Sequence, residues 1–415
     1  MRILATLLSV LALPVCAQQV GQPLPPWTPG TLDIHQINTG RGNSALLIFP
    51  DGTTMLLDAG DGANPPPRGT APKPDATRQP GEWIARYVRH MLAHDGRPSS
   101  IGVASTGLDY GYLSHFHADH MGGPSPSSKT ARGGYKLSGL TEVGDSIPIK
   151  LMLDRGWPDY SYPAPLRDAG VANYRAFLDW QQKNNGMKVE RLQPGRSDQI
   201  ALRHDPAKYP NFEVRNIAGN GEVWTGVGTN RRAHHPRIAD LKPDEYPTEN
   251  MCSNVIRVSY GKFDYYNGGD IPGVRRDGAP LWNDMETPVA QAVGPVEVSV
   301  TNHHGNRDSQ NGFFLSSLRP QVFIIPVWSA DHPGHDVLDR MYSERLYPGP
   351  RDVFATNMLE ANRLVIGPLL DRLKSAQGHI VVRVEPGGDT YRVVILDDSD
   401  ESYRVKSIHG PYQSR

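Results

Sequence analysis

The stretch Tyr112-Leu113-Ser114-His115-Phe116-His117-Ala118-Asp119-His120-Met121-Gly122-Gly123 constrains this chain more than any other. It sets three imidazoles and one carboxylate within six residues. The run before it, Tyr110 to Leu113, reads as the end of a buried strand, so all four side chains can converge at one strand end. A single loop histidine is ordinarily just solvated. The pattern His-x-His-x-Asp-His is different, because His115 and His117 can face one way while Asp119 and His120 face another. Imidazole nitrogens and a hard carboxylate oxygen so placed suit two neighbouring zinc-like ions.

The first residues bear on destination. Met1-Arg2, an apolar run from Ile3 to Val15 and then Cys16-Ala17-Gln18 match a secretory signal peptide over residues 1–17, cleaved after Ala17. The Gln-, Pro- and Gly-containing residues 18–30 read as an exported linker, and a periplasmic or secreted protein is expected. Acylation at Cys16 is the alternative, disfavoured by the bulk of Val15. Loss of Cys16 leaves Cys252 as the one thiol and excludes an intramolecular disulfide, so stability must come from the core or from bound metal. The 415 residues, 38% hydrophobic, can bury a large core, and no convincing linker or internal repeat divides residues 31–415. With 43 basic against 44 acidic residues, net charge gives no support for a nucleic-acid or membrane-surface partner beyond a local basic groove. No apolar run after Ala17 is long enough to span a bilayer.

Strands are expected over Leu32 to Asn38, Ser44 to Phe49 and Thr53 to Asp58, the last two joined by the hairpin turn Pro50-Asp51-Gly52. Asp58, beside glycines, reads equally as a turn aspartate or as a partner that orients a metal-bound histidine. Residues 62–81 and 124–165, rich in Pro, Gly and polar residues, read as insertions that can border a pocket, with a strand at Ile149 to Leu153 in the second. Apolar spacing predicts helices over Trp83 to Ala93, Val171 to Gln182 and Asp336 to Leu346. Further strands are expected at Asp109 to Leu113, Phe212 to Ala218, Asn254 to Tyr260, Lys262 to Tyr266, Val296 to Val300 and Pro320 to Val327. Extra C-terminal strands follow at Arg351 to Thr356, His379 to Val384 and Tyr391 to Leu396. Polar residues again sit at strand ends: Asp270 after Asn267-Gly268-Gly269, and His303-His304 after Thr301-Asn302. Strands alternating with helices, with such residues repeatedly at the ends, imply an α/β sandwich whose loops gather at one rim.

The combination of Ser114-His115-Phe116-His117-Ala118-Asp119-His120, Gly269-Asp270 and His303-His304-Gly305 resembles the metallo-β-lactamase superfamily. The opening Leu32-Asp33-Ile34-His35-Gln36-Ile37-Asn38-Thr39-Gly40-Arg41-Gly42-Asn43-Ser44-Ala45 narrows the likeness. With Pro50-Asp51-Gly52, Asp58-Ala59-Gly60 and Asn254-Val255-Ile256-Arg257, it is similar to the extracellular hydrolase domain of ComEC-type DNA-uptake proteins. The resemblance spans roughly residues 30 to 345. It implies a four-layer αβ/βα sandwich and a hydrolytic centre of one or two divalent ions, most often Zn2+. By the same likeness His115 and His117 bind the first ion, Asp119 and His120 the second, Asp270 bridges and His303 completes the second site. A hydroxide between the ions is the implied nucleophile, with Asp119 and His304 the catalytic candidates, His304 orienting a ligand or donating a proton.

One departure stands out. Many members supply another first-site histidine before the bridging aspartate, and here His204, His234, His235, Asn220, His332 and His335 are all open for that place. The likeness favours phosphodiester hydrolysis; a lactone or other ester, or a non-catalytic metal-binding module, are the alternatives, and the N-terminal likeness disfavours a β-lactam.

Overall fold

The computed structural model describes residues 18–62, 67–93 and 107–415, so the expected signal peptide at 1–17 lies outside the described residues. The first half of the chain forms β1 (Leu32–Gln36), β2 (Ala45–Ile48), β3 (Thr54–Leu57), β4 (Leu108–Tyr112), β5 (Ile149–Asp154) and β6 (Lys188–Arg191). Among them lie α1 (Pro80–Ala93), α2 (Ala118–Met121), α3 (Leu140–Ser146) and α4 (Ala169–Asn185). The second half forms β7 (Phe212–Gly219), β8 (Glu222–Trp224), β9 (Arg231–Ala233), β10 (Val255–Tyr260), β11 (Phe263–Asn267), β12 (Val298–Val300), β13 (Val322–Ile325) and β14 (Asp352–Ala355). Its helices are α5 (Glu286–Val293), α6 (Gly312–Leu318), α7 (His335–Tyr342) and α8 (Glu360–Ile366). Three last strands, β15 (His379–Val384), β16 (Thr390–Leu396) and β17 (Val405–Gln413), return to the first sheet.

The result is a mixed α/β fold with two large sheets. One has nine strands in the order 17-16-15-1-2-3-4-5-6, the other eight in the order 14-13-12-11-10-7-8-9. The sheets face each other across one apolar layer, in which Leu47, Met55 and Tyr112 of the first meet Val258, Tyr265 and Val300 of the second. The other face of the first sheet is covered by α1, α3 and α4 through Ile84, Val143 and Phe177, among others. Helices α5 to α8 cover the other face of the second through Val289, Phe314, Leu338 and Ile366. Strands buried on both faces are apolar at every position rather than alternating, and β2 and β13 read that way. Each fully buried large apolar side chain contributes about 1.5–3 kcal/mol, and Cys252 is buried and free.

Within each sheet a parallel block carries the polar loops. Strands β3, β4 and β5 run parallel, as do β11, β12 and β13, so their carboxyl ends are presented together. The stretch 124–165, expected as an insertion, contributes α3 and β5 to the framework. Helix α3 is short and lacks an apolar repeat; its Gly144 lets Phe177 pack where a Cβ would stand 2.4 Å from the ring. Helix α7 stops at Tyr342 rather than Leu346, since the next residues turn through Ser343 N to Arg340 O and Leu346 N to Ser343 O bonds. Strand β17 is mostly exposed and contains Gly410-Pro411, so its sequence carries little strand signal.

Two inner strands of the first sheet are tied by charge. Asp33 of β1 and Arg383 of β15 stand opposite in the ladder and form a bidentate buried pair, at 2.9 and 2.6 Å. A third guanidinium nitrogen donates to Pro25 O at 2.9 Å, fastening residues 18–30 to the sheet. Burial would raise the Asp33 carboxyl, but Arg383 outweighs it and holds the pKa at about 2. Because the folded value lies below the unfolded one, this stability is present above about pH 4 and lost as pH falls towards 2. Asp33→Asn should therefore cost about 3–5 kcal/mol in urea unfolding at pH 7 by leaving Arg383 unpaired. That deficit relative to wild type should shrink by ~2 kcal/mol at pH 2; an equal deficit at both pH values would contradict the pairing.

Candidate metal centre

Strand β4 delivers the histidine loop. After Tyr112 the chain stays extended through Ser114, whose carbonyl accepts Asn254 N–H at 2.9 Å, and Phe116 N–H donates to Glu249 Oε1 at 2.8 Å. His117 then caps the single turn of α2, which carries Asp119 and His120. The turn sits so close to the preceding strands that Gly42 and Gly60 are required: a Cβ on either would lie 2.1 or 2.0 Å from Asp119 O. The same backbone bonds Asn43 N–H to Asp119 O and Ala59 N–H to His120 O, each at 2.8 Å. From the second sheet, β11 ends at Gly268-Gly269-Asp270, and the turn after β12 brings His303 and His304. Both histidines have left-handed backbone, φ 47° and 54°, a conformation that costs about 1–3 kcal/mol each and persists only where the surroundings dictate it. Here buried Glu286 dictates it, accepting Asn302 Nδ2 at 2.7 Å and the Gln310 and Asn311 N–H groups at 2.6 and 2.7 Å. Burial raises the Glu286 carboxyl to about 7 despite these donors.

The side chains form two adjoining groups that could each hold a metal ion: Asp119, His120, Asp270 and His304, and His115, His117 and Asp270. In the first group His120 Nε2 lies 3.1 Å from Asp270 Oδ1, 3.6 Å from Asp119 Oδ2 and 3.2 Å from His304 Nε2. His304 Nε2 lies 2.9 Å from Asp119 Oδ2 and 3.7 Å from Asp270 Oδ2. Four ligands at zinc–nitrogen and zinc–oxygen distances are separated by about 3.3 Å in a tetrahedron, so the spacing fits an ion of that size. In the second group His115 Nε2 lies 3.1 Å from His117 Nδ1 and 3.7 Å from Asp270 Oδ2. Asp270 belongs to both, with Oδ1 towards His120 and Oδ2 towards His115.

The hydrogen bonds on the far side of each ring decide its tautomer. His304 Nδ1 lies 2.9 Å from Pro326 O, which can only accept, and His120 Nδ1 lies 2.8 Å from Asp58 Oδ2. His115 Nδ1 donates to Ser114 Oγ, whose own proton goes to Asp58 Oδ2 at 2.8 Å. All three Nε2 lone pairs are thereby turned inward, onto each other and onto two carboxylates. Such an electron-rich cluster in a buried place calls for a cation. The charge state of the bare side chains reflects the same demand. Burial alone would lower His120, but Asp270, Asp119 and Asp58 raise it well above its ordinary value. Burial and then His120 push His115 well below. Burial would raise Asp119 and Asp270, yet His120 and His304 hold both carboxyls well below the usual range.

No protein-family model matches the chain, and no curated protein does. Among solved structures it is similar to a protein of Parabacteroides distasonis that carries the provisional name metal-dependent hydrolase. Identity is 12%, over 78% of this chain and 92% of the other, with a TM-score of 0.35.

His304, not His303, stands with Asp119, His120 and Asp270. His303 Nε2 is 3.9 Å from Asp270 Oδ2, and its Nδ1 is 2.7 Å from Asp308 Oδ1. Burial lowers His303, but Asp270 and Asp308 outweigh it and raise its pKa to about 9. The turn's left-handed geometry exchanges the two neighbours, which no spacing rule reveals. Nor do the residues open for the third first-site position join that group. His204 pairs with Asp109, His234 bonds Asp284 O, His235 packs on Tyr162 and Met285, and Asn220 bonds Arg155. His335 begins α7, while His332 stacks on His304 with ring centroids 4.7 Å apart. Sequence reasoning missed Glu249, Asn250 and Asp308, outside the main helices and strands, and Glu286 at the start of α5, polar residues with no motif around them.

Asp58 is wholly buried, accepting Ser114 N–H at 2.7 Å and Asn43 Nδ2 at 2.9 Å besides His120 and Ser114 Oγ. It therefore orients two of the inward imidazoles. Asp58→Ala should weaken metal affinity by about 10–100-fold, measured by competition with a chromophoric chelator. Unchanged affinity would show that Asp58 serves the fold alone.

Proposed function

We propose that this chain is an exported metal-dependent hydrolase of the metallo-β-lactamase superfamily, holding two divalent ions, with Zn2+ the leading candidate. The observation that carries the reading is Asp270, which belongs to both ligand groups and lines a pocket. The order of layers, helices outside and two sheets facing inside, supports the four-layer sandwich that the sequence resemblance implies. Export rests on the signal-like residues 1–17.

Bound ions would supply a water of lowered pKa and a Lewis acid for the scissile group. The chain's own residues then orient the substrate. The pocket, about 200 Å³, is lined by His117, Asp119, Asn250, Asp270, His303 and His304, with Arg68, Trp328 and Asp331 towards its mouth. Arg68 is brought there by residues 67–79, whose backbone bonds the loop after β13 through Ala330 N to Arg68 O and Thr70 N to Trp328 O. Its 3.2 Å pair with Asp331 is exposed, and such pairs contribute only about 0–1 kcal/mol. An anionic substrate can therefore displace Asp331 from Arg68 at little cost, which favours a small phosphodiester over a neutral ester.

Metal removal followed by a substrate panel tests this reading. With Zn2+ or Mn2+ restored, a chromogenic phosphodiester should be cleaved in preference to single-stranded DNA, a lactone or a β-lactam. His117→Ala should lower that rate more than about 100-fold, beyond the loss usual for groups that merely orient a ligand. Activity on the lactone alone would overturn the substrate class. A metal-loaded protein inert towards all four would favour a non-catalytic metal-binding module.

A further inference from the structure

The two ligand groups are held in different ways. From Ala118 onward the histidine loop is bonded to the segments around the first sheet: Ala118 O accepts Asp61 N–H, Asp119 O accepts Asn43 N–H and His120 O accepts Ala59 N–H, each at 2.8 Å. Asp58 fixes the rings of His120 and, through Ser114, of His115. His117 has neither support. Among the described residues its ring bonds only to His115, and it is the one exposed side chain of the two groups. Its place therefore depends on its backbone. Between Ser114 and Ala118 that backbone makes one bond to another segment among the described residues, Phe116 N–H to Glu249 Oε1 at 2.8 Å.

Glu249 is set in turn by Arg155. This residue directly follows β5, and its buried guanidinium donates through Nε to Glu249 Oε1 at 2.7 Å and through Nη2 to Glu249 Oε2. Nη1 donates to Asn220 Oδ1 at 2.9 Å and to Tyr162 O at 3.1 Å, and Asn220 Nδ2 returns a bond to Arg155 O at 2.7 Å. A planar fork with all three nitrogens engaged has one orientation, which an ammonium could not reproduce. The same guanidinium carbon stands 4.9 Å from the centroid of the Phe116 ring. Arg155 thus grips the residue between His115 and His117 twice, at its ring directly and at its backbone through Glu249. Apolar packing would stabilise the fold as well as a buried ion pair does, which leaves geometry as the use of this one.

We propose that Arg155, acting through Glu249, is the positioning residue for the ion held by His115, His117 and Asp270. The inference rests on the two-ion reading above, though not on hydrolysis. The ion held by Asp119, His120, Asp270 and His304 is independent of Arg155, because the bonds of α2 and Asp58 place Asp119 and His120, and Glu286 holds the turn of His304.

The test is metal binding by the full chain after metal removal, using Zn2+ for stoichiometry and affinity and Co2+ for its absorption spectrum. Wild type should bind two ions per chain. Arg155→Met combined with Glu249→Leu removes the pair without stranding a buried charge. This double variant should keep one ion at wild-type affinity and bind the other about 10–100-fold more weakly, with an altered Co2+ spectrum. Arg155→Lys, which keeps the charge without the fork, should weaken the same ion by less. In a His117→Ala background neither change should affect the ion that remains. Two ions at wild-type affinity with an unchanged spectrum in the double variant would overturn the proposal. Equal weakening of both ions would also overturn it, by marking a structural role. Where the double variant fails to fold, Arg155→Lys decides, and an effect on both ions or on neither overturns the proposal. Fewer than two ions in wild type would overturn the two-ion reading and this inference with it. If wild type binds two ions but cleaves nothing in the panel, the hydrolase reading fails while the variants still decide the role of Arg155.

Discussion

The carboxylate of Asp58 is the interaction on which the site depends. It is buried at the end of β3, and among the described residues no lysine or arginine pairs with it. Burying an anion is costly unless it is hydrogen-bonded on all sides, and here four donors converge: Ser114 N–H, Ser114 Oγ, Asn43 Nδ2 and His120 Nδ1. Three of the donors come from the histidine loop and the fourth from the turn between β1 and β2. The four hydrogen bonds offset the desolvation cost of the aspartate and hold the histidine loop in place, and the order is transmitted through Ser114 to His115 as well. A turn aspartate would have required none of this.

The opposite wall is built differently. The second sheet contributes Asp270 through two glycines and His304 through a left-handed turn, and Glu286 holds that turn from behind. Gly268 is as necessary as the glycines of the first wall, since a Cβ there would lie 2.1 Å from the Tyr266 hydroxyl. Two rigid walls from two sheets, each fixed by a buried carboxylate, leave a narrow polar pocket between them. The ligand atoms are held apart before any ion arrives, which is the preorganisation a metal centre needs.

Much of this was legible in the chain. The His-x-His-x-Asp-His run after a buried strand, and Asp270 and the His-His pair at later strand ends, marked the residues that meet across the sheets. Strand positions were legible because buried parallel strands are continuous apolar runs, as at Val322 to Ile325. Asp58 could not be chosen between two readings, since its donors lie 15, 56 and 62 residues away in sequence. The exchange of His303 and His304 was hidden because it follows from backbone dihedrals that neither residue type favours. Glu249 and Asn250 were hidden because an isolated polar loop residue acquires meaning only from what it touches.

Anomalous diffraction from crystals grown with Zn2+, measured on both sides of the zinc absorption edge, tests the two-ion centre most directly. Two peaks about 3.5–4 Å apart are expected, both bound by Asp270. One should lie about 2.0–2.2 Å from ligand atoms of His120, His304 and Asp119, and the other at the same distance from His115 and His117. A single peak held by His303 instead of His304, or no peak between these side chains, would contradict it.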